Sequence, residues 1–409
     1  MKTHILLVVA FLSFIALGLP DGMLGVAWPS MSAEFHIPLG SLGILMAGFT
    51  SGYVLTTALI GSLVMWLGYA VVMIGSAASL ALGGLILASA PGVTAAIIAT
   101  VFLGGGSGLL DGGLNAYGAA FFRPRDLNWL HAFYGIGAAV GPAVMTPMII
   151  SGPGWRGGYG VVAAVSATIL VLFVVTRRAW NRDVPGAPDA SGDISPTPVP
   201  DADIYSTARL RAIGTGSVAI FFLYTGLEVV AGQWAFSLFT IERGMSAARA
   251  GMWVSVYWAA LTVGRIVFGW VSERVSAPLI LRGALAGCGV GIILLLPMPV
   301  PAVAPIGLAL LGFSLAPIFP VLIGETPRRI GAHRAHHLIG FQIAAANIGA
   351  VSIVAAVGAA VEAISLEVVP WALLIALGLF IILNESLLVA SAPRVSATTS
   401  SPPDRSGSR

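Results

Sequence analysis

Long apolar runs separated by short polar breaks make up most of the chain. A helix crossing a bilayer needs about 20 mostly apolar residues, because each adds only about 1.5 Å of rise to span a hydrocarbon core about 30 Å thick. Twelve runs meet that length, at roughly 5–29, 41–65, 69–90, 94–121, 128–150, 156–176, 212–237, 250–271, 279–299, 303–325, 338–361 and 368–391. The first is too long for the apolar core of a signal peptide and no small-x-small cleavage site follows it, so it is read as a span. The pattern predicts an all-α integral membrane protein with twelve transmembrane helices. Residues 1–176 form a first six-helix bundle and 209–391 a second. Between them 177–208 is rich in Pro and Asp, cannot build a core, and is expected to be a flexible cytoplasmic linker. The Ser/Pro-rich segment 392–409 is expected to be a disordered cytoplasmic tail.

Composition sharpens this picture. Apolar residues make up 57% of the 409 and charged residues only 9%, against about 25% charged in soluble domains. Such a chain cannot hide its apolar surface by folding in water, which excludes a soluble enzyme, a secreted domain and a nucleic-acid-binding protein. The net charge of +3 says little about partners; the placement of the basic residues says more. Of the 20 Lys and Arg, sixteen fall on the side of the termini, Arg156, Arg243 and Arg249 fall on the other, and Arg265 lies within a span. Cytoplasmic loops carry the excess of Lys and Arg, so both termini are expected in the cytoplasm, with the chain as a multi-pass protein of the cell (inner) membrane. The single cysteine, Cys288, excludes an internal disulfide and a cysteine-based metal site.

The two halves read as a repeat. Gly61-Ser-Leu-Val-Met65-Trp66 after span two stands 208 residues before Gly269-Trp-Val-Ser-Glu273-Arg274 after span eight, and Phe133-Tyr134 meets Phe341-Gln342 at the same spacing. Asp21 and Glu228 lie at matching depths in spans one and seven. A duplicated six-helix unit is a recurrent transporter architecture. With Gly269 to Arg274 matching its Gly-x-x-x-Asp/Glu-Arg loop motif, the chain resembles the major facilitator superfamily. Met65 and Trp66 replace the charges in the first copy of that motif. Within the superfamily, Leu19-Pro-Asp21-Gly, Gly108-Leu-Leu-Asp111-Gly-Gly-Leu-Asn115, His131-Ala-Phe-Tyr134 and Glu228-Val-Val-Ala-Gly-Gln233-Trp234 resemble the fucose:proton symporter-like branch.

A carboxylate deep in a membrane is expensive, by about 2.5–3.5 kcal/mol for Asp, so it faces a cavity, pairs, or holds a proton. Asp21, Asp111 and Glu228 are the acids deepest in spans and the candidates for proton coupling. Asp21 lies between Pro20 and Gly22, where a broken helix would open toward a cavity. The resemblance implies that Asp21 couples to the proton and that Asp111, with Asn115 four residues on, contacts sugar. It also implies that His131 and Tyr134 stand where the branch has a sugar-binding Gln and Asn. Imidazole changes charge near neutral pH, which gives His131 a second possible role. Gln233 and Trp234 on span seven, with Gln342 and Asn347 on span eleven, supply the amides and ring that a polyol needs for its hydroxyls and its apolar face. Arg265, Glu273 and Arg274 are the gating candidates. In the superfamily such charges latch the inner side, and here the latch is expected to be one-sided.

Other features read as structure. Gly48/Gly52, Gly104/Gly108 and Gly137/Gly141 are spaced for close helix packing. Gly137-x-x-x-Gly141-Pro142 partly matches a motif of proton-coupled drug exporters, which keeps drug or metabolite efflux as the alternative. His333, His336 and His337 lie in a basic inner loop with only Glu325 as a nearby acid, so no metal site is expected. No paired catalytic set marks one membrane face, so a polytopic enzyme is the least favoured class. The expectation is a proton-coupled transporter of a small polar solute, sized like a monosaccharide. It would be monomeric in the lipid bilayer, with protons as partner, no nucleic acid, and the proton gradient in place of a cofactor.

Overall fold

The computed structural model describes residues 2–180, 207–298, 300 and 302–391. Its elements are α1 Lys2–Phe35, a 3₁₀ turn Leu39–Ser41, α2 Leu42–Ala88, α3 Val93–Phe121, α4 Pro124–Ser151, α5 Gly154–Trp180, α6 Thr207–Ser237, α7 Ala247–Val271, α8 Ala277–Leu295, α9 Val303–Leu315, α10 Ile318–Ile330, α11 Ala332–Ala363 and α12 Val368–Ser391. Eleven helical stretches among the described residues are long and apolar enough to cross a membrane. One of them, Leu39–Ala88, has 50 residues. At about 1.5 Å per residue it would run more than twice the hydrocarbon thickness. It turns at Gly68, where φ is +76°, a backbone setting that suits glycine. Its two arms are spans two and three, and the chain has its twelve spans.

Three local expectations change. First, α1 runs unbroken through Pro20, Asp21 and Gly22. The break falls instead in span ten, between α9 and α10 at Ala316–Pro317, where proline has no N–H to give and its ring crowds the preceding turn. Second, α5 continues past 176 to Trp180. That ring is fully buried against Tyr117 and Phe173, and its Nε1 donates to Thr176 Oγ1 at 2.9 Å. Third, α6 and α11 begin ahead of their apolar runs, so the histidine segment after Gly331 is helix, not loop. The rest of the predicted linker, 181–206, and the tail 392–409 lie outside the described residues.

Helices approach each other through glycine. A Cβ on Gly18 would stand 2.1 Å from the Tyr134 carbonyl oxygen, and one on Gly137 would stand 2.1 Å from that of Ile15. These contacts join α1 to α4. Gly104 meets Phe49 and Gly52 meets Val101 in the same way, joining α2 to α3. In the second half Gly349 backs onto the Phe222 carbonyl and Gly226 onto Ile353, joining α6 to α11. Gly18 and Gly226, like Gly141 and Gly349, stand at the 208-residue spacing of the repeat. The glycine pairs read as packing positions do pack.

The end of the bundle that carries the first residues of α1 and the last of α12 is called the terminal end, and the opposite one the far end. The halves meet through α1 and α6, α4 and α7, and α11 with the start of α2. At the far end Gly40 abuts Gly358, Gly43 abuts Ala355, and Gly40 N donates to Glu362 Oε2 at 3.3 Å. At the terminal end Met65, Trp66 and Phe341 are exposed by 78%, 79% and 67%. Close contacts join the halves at the far end, while these three side chains at the terminal end are uncovered.

Candidate functional site

Each of the three membrane acids accepts a hydrogen bond from a tyrosine. Tyr134 of α4 donates to Asp21 Oδ2 of α1 at 2.5 Å. Tyr53 of α2 donates to Asp111 Oδ2 of α3 at 2.7 Å, and Asn115 Nδ2 fills the other oxygen at 2.8 Å. Tyr224 donates to Glu228 Oε2, both on α6. A phenol is a strong donor on a rigid apolar body, which suits a carboxylate with little water to solvate it.

The acids belong to one electrostatic cluster that crosses the halves. Arg265 of α7 reaches Glu228 Oε1 at 3.5 Å, and Tyr257 OH donates to the Glu228 carbonyl at 2.7 Å. Glu228 lies within electrostatic range of Asp21, and Arg265 within range of Tyr134. His131 feels both Asp111 and Arg265, and its ring stands edge-on to Phe14 with centroids 5.6 Å apart. Arg265 keeps 32% of its side chain exposed although it lies deep in a membrane helix, so the cluster borders an open space. On its other side Asp21 lines a small cavity of about 60 Å³ with Leu24, Phe49, Tyr159 and Gln233. That volume holds about two waters at about 30 Å³ each.

The remaining candidates separate. Gln233 Nε2 donates to the Asp21 carbonyl at 3.0 Å, across the halves, and a Cβ on Gly25 would meet the Gln233 backbone. Its side-chain oxygen is buried beside the small cavity without a partner among the described residues. Trp234 is fully buried, so its ring is closed to solute and lipid alike. Gln342 bonds Thr326 between α11 and α10, and Asn347 donates to the Ile343 carbonyl of its own helix. Neither joins the cluster. Arg265 was expected beside Glu273 and Arg274 at the gate. It sits instead at Glu228, because one face of α7 turns it inward toward α6. Glu273 and Arg274 are exposed just past the end of α7 and make no ion pair among the described residues.

Sequence reasoning missed Tyr53, Tyr224 and Tyr257. Tyr224 was findable, since it precedes Glu228 by four residues on one helix face. Tyr53 and Tyr257 reach their partners only through tertiary packing.

Comparison with known proteins agrees with this architecture. The family model described as Major Facilitator Superfamily matches residues 6–354. An "Uncharacterized MFS-type transporter" of Yersinia pestis is 24% identical over 76% of this chain and 77% of its own. "Bypass of stop codon protein 6" of Saccharomyces cerevisiae is 25% identical over 65% of this chain, which spans 57% of that protein's length. Among solved structures, a mutant form of the nucleoside transporter NupG superposes with a TM-score of 0.71 at 14% identity, covering 94% of this chain and 99% of that one. A bacterial homologue of the human lysosomal transporter Spinster, in an inward-facing and unoccupied conformation, gives 0.69 at 12% identity, covering 96% and 98%. At these identities the structural likeness speaks to fold. With its twelve spans and a family match over most of its length, the chain belongs to the Major Facilitator Superfamily and is a multi-pass membrane transporter.

Proposed function

We propose that this transporter carries a small polyhydroxylated solute, of monosaccharide size, together with protons by alternating access, with both termini cytoplasmic in the cell's inner membrane. The observation that carries the reading is that Asp21, Asp111 and Glu228 are each held by a tyrosine phenol deep in the bundle, with Arg265 paired to Glu228. A phenol on a carboxylate occupies the place that a solute hydroxyl would take, and Asn115, His131 and Arg265 add donors. An apolar ligand would leave these groups unpaired, at about 1–3 kcal/mol each. Asp21 is the proposed proton carrier. Of the three deep acids it is the one whose backbone is held across the seam, by Gln233 of the second half, so its charge state bears on how the halves meet. With the termini cytoplasmic, as the basic residues favour, the present arrangement faces inward. A nucleoside, whose ribose is a polyol, belongs in the tested set because a nucleoside transporter shares the fold.

The test is uptake into proteoliposomes across a panel of monosaccharides, linear polyols and nucleosides, with and without an inward proton gradient. One polyhydroxylated class is expected to accumulate and to carry protons with it. Extrusion of lipophilic cations, with no polyol-dependent proton entry, would overturn the proposal in favour of drug export.

A further inference from the structure

Away from the acid cluster, α6 and α11 enclose a groove of about 790 Å³, within the size range of small-molecule sites. Both helices leave the terminal end side by side. They touch deep in the bundle, at Gly349 against Phe222 and Gly226 against Ile353, and part toward the terminal end, where a Cβ on Gly214 would find only Leu338, at 3.9 Å. The walls are Val218 and Phe222 on one side and Leu338, Phe341, Ala345 and Ile348 on the other. Thr215, the one hydroxyl in the lining, is turned back onto the Arg211 carbonyl of its own helix at 2.9 Å. A polyol would find almost nothing to bond here.

Two arginines head this wedge. Arg211 lines it, one helical face above Thr215, Val218 and Phe222. Arg334 precedes Leu338 by four residues, so it leads the Leu338, Phe341, Ala345, Ile348 stripe of α11. Both are exposed, and neither guanidinium has a hydrogen bond or ion pair among the described residues. From Arg211 to Phe222 the helix rises about 16 Å, about half of a hydrocarbon core of about 30 Å. The wedge therefore has the depth of one leaflet, with an apolar interior and cations at the headgroup level, where basic pockets between membrane helices select anionic lipids.

We propose that the α6–α11 groove binds one anionic glycerophospholipid of the leaflet at the terminal end. An acyl chain lies along Phe222 and Phe341, and the phosphate sits between Arg211 and Arg334. The site is independent of the solute assignment.

Native mass spectrometry of the full chain tests it, in detergent with phosphatidylglycerol and phosphatidylethanolamine of the same acyl chains. The wild type is expected to retain one phosphatidylglycerol in preference. Arg211→Ala with Arg334→Ala is expected to lower that preference about 30-fold, through loss of two cations at the headgroup level. Ala345→Trp, which fills the wedge, is expected to abolish retention with the melting temperature kept. Val218→Trp is the substitute if that variant does not fold. Equal retention of the two lipids by the wild type, unchanged retention in the variants, or displacement by inorganic phosphate would each overturn the proposal.

Discussion

Asp21 accepts a phenol from α4 and has its backbone held by a glutamine from α6, so one residue touches both halves. Asp21→Asn preserves shape and removes the exchangeable proton. Proton-driven accumulation should then be lost, while exchange of solute down its own gradient persists; uphill uptake by this variant would take Asp21 out of the coupling role. Asp111 differs, since Tyr53 and Asn115 occupy its two oxygens and neither crosses the seam. In the proposed function it serves recognition. Asp111→Ala is expected to weaken solute binding by about 2–5 kcal/mol, as for loss of a buried charged acceptor. Calorimetric titration showing wild-type affinity would exclude it from the site.

Among the helices, packing is governed by where glycine removes a side chain. Gly137→Ala would set a methyl 2.1 Å from the Ile15 carbonyl oxygen, and backbone cannot yield as a side chain does. Overpacking of this kind costs about 1–3 kcal/mol. Gly75→Ala is the control, because nothing lies within 4 Å of its Cβ and alanine is the better helix former. A melting temperature lowered by the first and not the second is expected; equal shifts would mean that α1 and α4 are not held by this contact. Each half also carries a far-end tie of reversed polarity. Arg156 of α5 holds Glu34 of α1 and the Ala90 carbonyl. Arg243, just past α6, holds Glu367 and the Leu295 carbonyl, both at 2.7 Å.

For the whole molecule, the proposed alternating-access cycle makes the terminal end the one that opens and shuts, since close contacts join the far end. Arg274 stands exposed there without an ion pair among the described residues, as a latch would when that end is open. Met65 and Trp66, at the equivalent point of the first half, carry no charge. Charge reversal at Arg274 should therefore favour the terminally open state, and Met65→Ala should leave the balance unchanged. Spin labels replacing Trp66 and Phe341 would report the spacing, and Cys288 is buried enough to stay unlabelled. Equal shifts from both substitutions would argue against a one-sided latch.

Apolar run length alone determined the twelve spans, because the bilayer's thickness is a fixed ruler. The same logic singled out Asp21, Asp111 and Glu228, since a charge at that depth needs a reason. Helical spacing predicted Gly137 and Gly141 as packing positions, because the two lie on one face of one helix. Contacts between helices were a different matter. Tyr53 and Asp111 are 58 residues apart, and nothing in either segment announces the other. Trp234 and Arg265 could each have faced lipid, core or cavity. The rotation of α6 and α7 about their own axes decided it, burying the indole and turning the guanidinium to Glu228. Pro20 and Pro317 each remove a backbone hydrogen bond, yet only the second breaks its helix. Sequence determines which groups are costly in a membrane; the packed bundle decides which neighbours satisfy them, because a partner's position depends on every helix between the two.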